Sequence, residues 1–396
     1  MNNNKVFSTV DRITVNLTSI TDKVIDISRM LLNIEIYENI FEFFLTGKLV
    51  LSDTYDLIQH FPIIGNENIE IIMNLSDGSY RKLNFKLYKI YKDVADGRGD
   101  RKNKIYIIYF CSEGYIKNTI TSISKKYTGK PEQIISGVLS EMGSNKNYDY
   151  EASDNNIEIY SNFWNPSRII DFASRLCKGT YLDYIFFENL DGFTFKSISN
   201  LISQDSNVYI GYNNQSETFI DYNQIKVHKM DSYFDINSNA RNGMFGNTFY
   251  KPDDKNYSYI KEESTLKENV EEIFTNGLSF PYAEELNKSD NYVNVNYYDP
   301  KVSSIRMASI KMLQNYNLVV KLSGDINKKC GDVINVNFPN KDNEKSINYS
   351  FGGKWLIKGV KHVIYQNNNY HQNISLVKNV LFDNSKLSRI KKLRNI

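Results

Sequence analysis

The stretch from Asp26 to Gly65 constrains the fold of this chain more than any other. Ile36-Tyr37-Glu38-Asn39-Ile40, then Leu45-Thr46-Gly47-Lys48-Leu49-Val50-Leu51-Ser52-Asp53, then Phe61-Pro62-Ile63-Ile64-Gly65 follow one another closely. β-Branched and aromatic residues suit the half-buried surface of a pleated sheet. The first run is expected to form a strand that meets Gly47 and resumes as a second strand. That strand stops at Asp53, whose carboxylate suits the N-cap of a short helix running through His60.

The 396 residues, 41% hydrophobic and 13% aromatic, can bury several cores, and such a length favours about two to four domains. With 48 basic and 46 acidic residues the net charge is only +2, so no whole-chain field draws the protein to nucleic acid or an anionic membrane. Cys111, Cys177 and Cys330 are far apart and odd in number. They suggest neither a disulfide framework nor a CxxC metal site, and are expected to be buried thiols. The opening Met1-Asn2-Asn3-Asn4-Lys5 lacks the apolar core of a signal peptide, and no run of about 18 apolar residues occurs. Synthesis and folding in the cytosol are expected.

Alternation at Ile13, Val15 and Leu17 recurs at Leu83, Phe85 and Leu87, and Ile105 to Phe110 is continuously apolar. The pattern predicts a mainly antiparallel β domain over residues 1–112, with a hairpin turn at Asp77-Gly78 and a polar loop from Asp96 to Arg101. Residues 113–205 read as α+β. Two amphipathic helices, Pro131 to Met142 and Pro166 to Cys177, each open on proline, and an aromatic hairpin turns at Asp191-Gly192.

Residues 240–302 are rich in Asn, Asp, Lys, Ser and Tyr and read as an insertion, with a possible helix from Lys261 to Phe274. Beyond it, a helix from Val302 to Leu313 precedes strands at Leu318 to Leu322, Gly331 to Pro339, Gly353 to Ile364 and Ile374 to Lys378. These give a second β domain, built from 206–239 and 303–380. Residues 381–396 form a basic tail, with Leu387, Ile390 and Leu393 interleaved among its cations.

Chemical motifs are scarce. None of His60, His228, His362 and His371 starts an HExxH pattern, and His362, alternating with strand residues, reads as structural. The three Gly-Lys pairs precede Leu49, Pro131 and Trp355, so no Walker A loop exists. Glu188 and Asp191 read as a strand end and a turn. Arg98-Gly99-Asp100 reads as a glycine-rich loop tip. A pair of glycosidase carboxylates needs spatial, not sequential, proximity, so a cell-wall hydrolase stays open as an alternative. No catalytic, cofactor-binding or metal-ligating residue is assigned.

Several blocks, in order, resemble the central baseplate hub proteins of T-even-like contractile-tailed phages. They are the Asp26 to Gly65 stretch, Phe186-Phe187-Glu188-Asn189 with Asp191-Gly192-Phe193 and Phe195-Lys196-Ser197, Ser323-Gly324-Asp325 with Gly331-Asp332-Val333, and Gly353-Lys354-Trp355-Leu356-Ile357 with Leu376-Val377-Lys378. The resemblance implies a mainly β fold with α+β parts: two tube-like antiparallel β-barrel domains, a smaller α+β domain and an insertion. It also implies a non-enzymatic assembly protein without cofactors. Three copies would form a pseudo-sixfold ring joining the tail tube protein to a central spike protein, beside baseplate wedge proteins. DNA would pass through the lumen without specific binding. Gly47, Gly65, Gly324, Gly331 and Gly353 are expected at turns or bulges that shape the barrels. A spike-type protein of a related injection apparatus is a further alternative.

Overall fold

The structure, a computed structural model, describes residues 8–53, 57–61, 63–93, 104–206, 208–211, 223–232, 235–241, 243–253, 256–265, 289–292, 300–337, 339–340, 343–347 and 352–378. The expected loop from Asp96 to Arg101 and the basic tail at 381–396 lie outside these residues.

The chain opens with β1 (Val10–Thr18), β2 (Val24–Asp26), β3 (Leu31–Asn39), β4 (Thr46–Asp53), α1 (Leu57–His60), β5 (Asn68–Leu75), β6 (Tyr80–Asp93) and β7 (Lys104–Cys111). The middle holds α2 (Glu113–Ile120), β8 (Ile123–Gly129), α3 (Pro131–Glu141), β9 (Tyr148–Tyr150), β10 (Ile157–Trp164), α4 (Pro166–Leu176), β11 (Tyr184–Asn189), β12 (Gly192–Ser197) and α5 (Ile198–Ser203). There follow β13 (Tyr209–Gly211), β14 (Val227–Ser232), α6 (Ile236–Arg241), β15 (Gly246–Asp253), β16 (Ser258–Thr265), β17 (Ser289–Tyr292) and α7 (Pro300–Leu313). The last elements are β18 (Tyr316–Ser323), β19 (Val333–Asn337), β20 (Pro339–Asn340), β21 (Asn343–Ile347), β22 (Gly353–Tyr365) and β23 (Tyr370–Lys378).

The protein is mostly β and largely antiparallel, with a few helices and small sheets beside one large sheet. Its strand order is β14-β18-β23-β22-β3-β4-β7-β6-β5-β1-β2, with β19 added to β22 and β13 to β19. Period-two alternation makes the first lobe. Leu49 and Leu51 of β4, Ile69, Ile71 and Met73 of β5, and Val15 and Leu17 of β1 all point into one core. Strands far apart in sheet order share that core, so the sheet curls around it. The Ile27 N–H donates to the Val15 carbonyl at 2.9 Å where the curl draws together, beside the 3₁₀ turn Ser28–Met30. Asp53 is buried and accepts the Leu57 N–H at 2.7 Å, the anchor expected at the entry to α1.

A second lobe wraps β18, β19, β22 and β23 around the fully buried Trp355, with Leu318, Val320, Ile334, Ile357 and Ile374. The two lobes share an edge: β22 pairs with β3 from Gly359↔Asn39 to Tyr365↔Asn33. In a third core, α3 and α4 lay Ile134, Ile135, Ile169 and Ile170 against Phe186, Phe193 and Phe195 of the β11–β12 hairpin. Both helices place proline at their first turn, where its missing N–H leaves no hydrogen bond unmade.

Two local expectations differ from the structure. Lys261 to Thr265, expected in a helix, lie in β16, paired with β15 from Ser258 through Thr265. The segment is the exposed strand of a hairpin, and the cross-strand ladder to β15 outweighs the helical spacing of its charges. Gly47 lies inside β4, opposite Ile36 on one side and Phe110 on the other, and the turn between β3 and β4 falls at residues 40–45. Its reason is packing: a Cβ at Gly47 would overlap the Phe110 ring and the Glu35 carbonyl.

Candidate functional site

The candidate site is a buried polar junction where the two β lobes, the α+β hairpin and the loop between β18 and β19 meet. It is centred on Glu38. Glu38 sits on the inward face of β3, in step with Ile34 and Ile36, and is 3% exposed. Such a carboxylate is tolerated only when its oxygens are hydrogen-bonded. Glu38 Oε2 accepts the Cys330 N–H at 2.8 Å, and Oε1 accepts the Leu190 N–H at 3.3 Å and lies 3.2 Å from His362 Nε2.

His362 comes from β22, directly across the shared edge, and is 1% exposed. Its Nδ1 lies 2.7 Å from the Tyr370 hydroxyl and 3.3 Å from Gln372 Nε2. The network is satisfied when Nε2–H donates to Glu38 and Nδ1 accepts from Tyr370. Burial, then the charges of Asp325 and Glu38, pushes the Tyr370 hydroxyl well above its ordinary range and keeps it a donor. Gln372 ties down the loop, donating to the Asp325 and Lys328 carbonyls at 2.9 and 3.1 Å while accepting the Asp325 N–H at 3.1 Å. The Asp325 carboxylate pairs with Lys328 at 2.8 Å, both side chains being nearly buried.

The tip of the β11–β12 hairpin enters this junction as a peg. Leu190 buries in the core of the first lobe, beside Ile326. Glu188, 1% exposed, accepts the Leu45 N–H at 2.9 Å and the Lys146 ammonium. Asp191 pairs with Arg81 of the β5–β6 hairpin at 2.7 Å and with Lys329. Burial alone would raise the Asp191 carboxyl, but these two cations hold it below its usual range. Glu188 and Asp191 are thus more than a strand end and a turn: they fasten the α+β part to both lobes. The acceptors of Glu38 and Glu188 are taken by backbone N–H groups, the His362 imidazole and the Lys146 ammonium, an arrangement that anchors the hairpin to the lobes. Among the described residues no group of three or more His, Cys, Asp or Glu is placed to hold a metal ion.

Two of the glycines singled out in the sequence serve the junction. A Cβ at Gly324 would overlap the Tyr370 ring, and Gly331 adopts φ +88° with a Cβ position 2.7 Å from the Phe187 ring. Gly65 lies apart, at φ +104° in an open turn where space is not limiting, whereas Gly353, expected at a turn or bulge, opens β22 at φ +95° and pairs with Val336. The three thiols are buried; burial pushes Cys111 up to about 12, and Cys330 is raised by burial and by Glu38. Sequence patterns missed Glu38, Arg81, Asp325, Lys329 and Gln372. The signal available was a polar residue at an inward strand position, Glu38 between apolar neighbours and His362 between Val360 and Ile364.

Curled β lobes sharing one sheet, with an α+β hairpin pegged between them, form an architecture also found in phage tail proteins. No protein-family model and no curated protein sequence matches the chain. Among solved structures, the tail protein from Neisseria meningitidis MC58 superposes with a TM-score of 0.59 at 9% identity, over 92% of this chain and 96% of that one. The 43 kDa tail protein of prophage MuSo2 from Shewanella oneidensis gives 0.59 at 9% identity, over 94% and 100%. Prophage tail protein gp18 from Listeria monocytogenes EGD-e gives 0.50 at 11% identity, over 97% and 100%. At such identities the likeness is one of fold.

Proposed function

We propose that this chain is a structural protein of a contractile phage tail baseplate, the hub that joins the tail tube to the central spike. The observation that carries the reading is the extent of the fold likeness: 92 to 97% of the chain follows three tail proteins, two of them from prophages, almost end to end. The order of the hub-like sequence blocks supports it independently.

In this reading the tube-like units are 1–112 and 206–239 with 303–380, the α+β unit is 113–205, the insertion is 240–302 and the tail is 381–396. Three copies place six β lobes around a lumen. Duplication inside one chain then meets a sixfold tube while the trimer keeps threefold symmetry for the spike. The work is geometric, not catalytic. Partners are the tail tube, central spike and baseplate wedge proteins, the location is the virion tail, and DNA passes the lumen without sequence-specific contact. The turn at Gly65, the strand start at Gly353, and the close approaches at Gly47, Gly324 and Gly331 shape the lobes.

The test is the solution mass by light scattering over a concentration series, with and without the cognate spike protein. The expected mass is three times the 46.0 kDa protomer. A strict monomer under both conditions overturns the ring, and lysis of peptidoglycan by the purified chain, lost on mutating one carboxylate, would replace it with the hydrolase reading.

A further inference from the structure

The outward face of the large sheet carries a row of lysines that the near-neutral composition conceals. Seven adjacent strands in the order β18-β23-β22-β3-β4-β7-β6 contribute, spanning about 29 Å at about 4.8 Å per strand. Directly paired residues lie on the same face, so the register reads off the row. Lys321 of β18 pairs with Asn373, Asn373 with Lys361, and Lys361 with Tyr37. One pair along β3 the row continues, from Glu35 to Lys48, Lys48 to Tyr109, and Tyr109 to Lys89. Lysines therefore stand on alternate strands, about 10 Å apart, with Asn or Tyr between them.

The row keeps its charge. Its only carboxylate is Glu35, which accepts from Lys361 at 2.8 Å and Lys48 at 3.3 Å, so one anion serves two cations. Burial tends to raise the Glu35 carboxyl, but hydrogen bonds from Lys361 and Tyr37 and the charges of both lysines hold it below its usual range. Tyr37 and Tyr109 hold the ammonium groups over their rings, at 5.7 Å for Lys361 and 5.6 Å for Lys89. Tyr88 lies beside them, its ring tilted 49° to that of Tyr109 with centroids 6.2 Å apart, and stacks on Tyr115.

We propose that this row is a sequence-independent binding surface for the phosphodiester backbone of nucleic acid. Regularly spaced cations with neutral amide and phenol donors between them match a repeating phosphate chain, which asks for charge and hydrogen bonds. Tyr88, 42% exposed, adds a face on which a base stacks when the strand is single. An acidic protein is the competing partner, since Lys48 and Lys361 are half-buried and Tyr37, Lys361 and Asn373 line a cavity beside Tyr115 and Ser167. The regular spacing of the cations favours nucleic acid, because a phosphate chain repeats and a folded acidic surface does not. The proposal rests on the strand register and not on the baseplate reading.

The test is fluorescence anisotropy of the full-length chain with a 30-base-pair duplex, the matching single strand and poly-glutamate, from about 50 to 200 mM salt. For three to four phosphate contacts, the expected slope of log affinity against log salt is about −3 to −4. The double variant Lys89→Ala with Lys321→Ala, both away from the buried junction, reduces the slope by about 2 and weakens binding about tenfold relative to the parent at the upper salt. Lys125→Ala with Lys126→Ala, on the separate β8–β10 sheet, leaves it unchanged. Preference for duplex or single strand assigns the form bound, and either supports the proposal. No binding at 50 mM salt, an unchanged slope in the row variant, or tighter binding to poly-glutamate than to either nucleic acid overturns it. The solution mass is read separately, so the ring and the row fail independently.

Discussion

Single residues at the junction set the limits on change. Gly324→Ala drives a methyl group into the Tyr370 ring, and because that ring is fixed by His362 it cannot swing aside. Overpacking of this kind costs about 1 to 3 kcal/mol. Gly65→Ala meets nothing within 4 Å and bears only the left-handed backbone cost, about 1 to 2 kcal/mol. Urea unfolding is expected to show a comparable loss in the two variants, and the near-UV signal separates them, falling only in Gly324→Ala, where the packed Tyr370 ring must shift. Glu38→Gln leaves one of the Cys330 and His362 contacts facing an amide N–H; the expected loss is about 2 to 4 kcal/mol, from disruption of a buried hydrogen-bonded charge. Asp191 gives a pH signature. Its folded carboxyl lies below its unfolded range, so its contribution is present above about pH 4 and is lost as the pH falls through the folded value. Asp191→Asn is therefore less stable than the parent at neutral pH, and the two acid-unfolding curves converge as the pH falls through the folded value.

At the scale of elements, the β11–β12 hairpin is a fastener between lobes. Leu190→Ala removes its buried tip from the first core, at a cost of about 2 to 5 kcal/mol. Amide exchange is the discriminating readout. Protection is expected to fall in β5 and β6 as well as in β11 and β12, because Asp191 reaches Arg81 across that gap. A loss confined to the hairpin would show that the peg adds nothing to the lobe. The helices α3 and α4 were legible within a residue or two from their prolines and apolar spacing. So were the β5–β6 turn, with Gly78 at φ +82°, and the β11–β12 hairpin. All four depend on contacts between near neighbours in sequence.

For the molecule as a whole, the shared edge between β3 and β22 has a thermodynamic consequence. Two lobes hydrogen-bonded along one ladder, with His362 and Glu38 bonded across it, are expected to unfold together. Calorimetry of the isolated chain should show one main transition, with van't Hoff and calorimetric enthalpies agreeing for the β lobes. Two resolved transitions would mean that the edge is weak and the lobes are independent. The trimer mass proposed above belongs to this scale too, since pseudo-sixfold symmetry is a property of the assembled lobes.

What the amino-acid sequence by itself determined is the alternation that builds the strands, the proline-led helices, the turns at Asp77-Gly78 and Asp191-Gly192, and the mainly β class. These follow from side-chain period and local backbone sterics, which act over a few residues. It also marked Gly324 and Gly331 as unusual without the cause, because the rings they accommodate belong to Tyr370 and Phe187. The tertiary structure decided the rest. Glu38 meets Cys330 across 292 positions and His362 across 324, and Lys321 joins a row with Lys89 only through the strand order. No local pattern encodes such meetings: which edge strands pair is chosen by the fit of whole cores, and only then do the buried carboxylate and the row of cations exist.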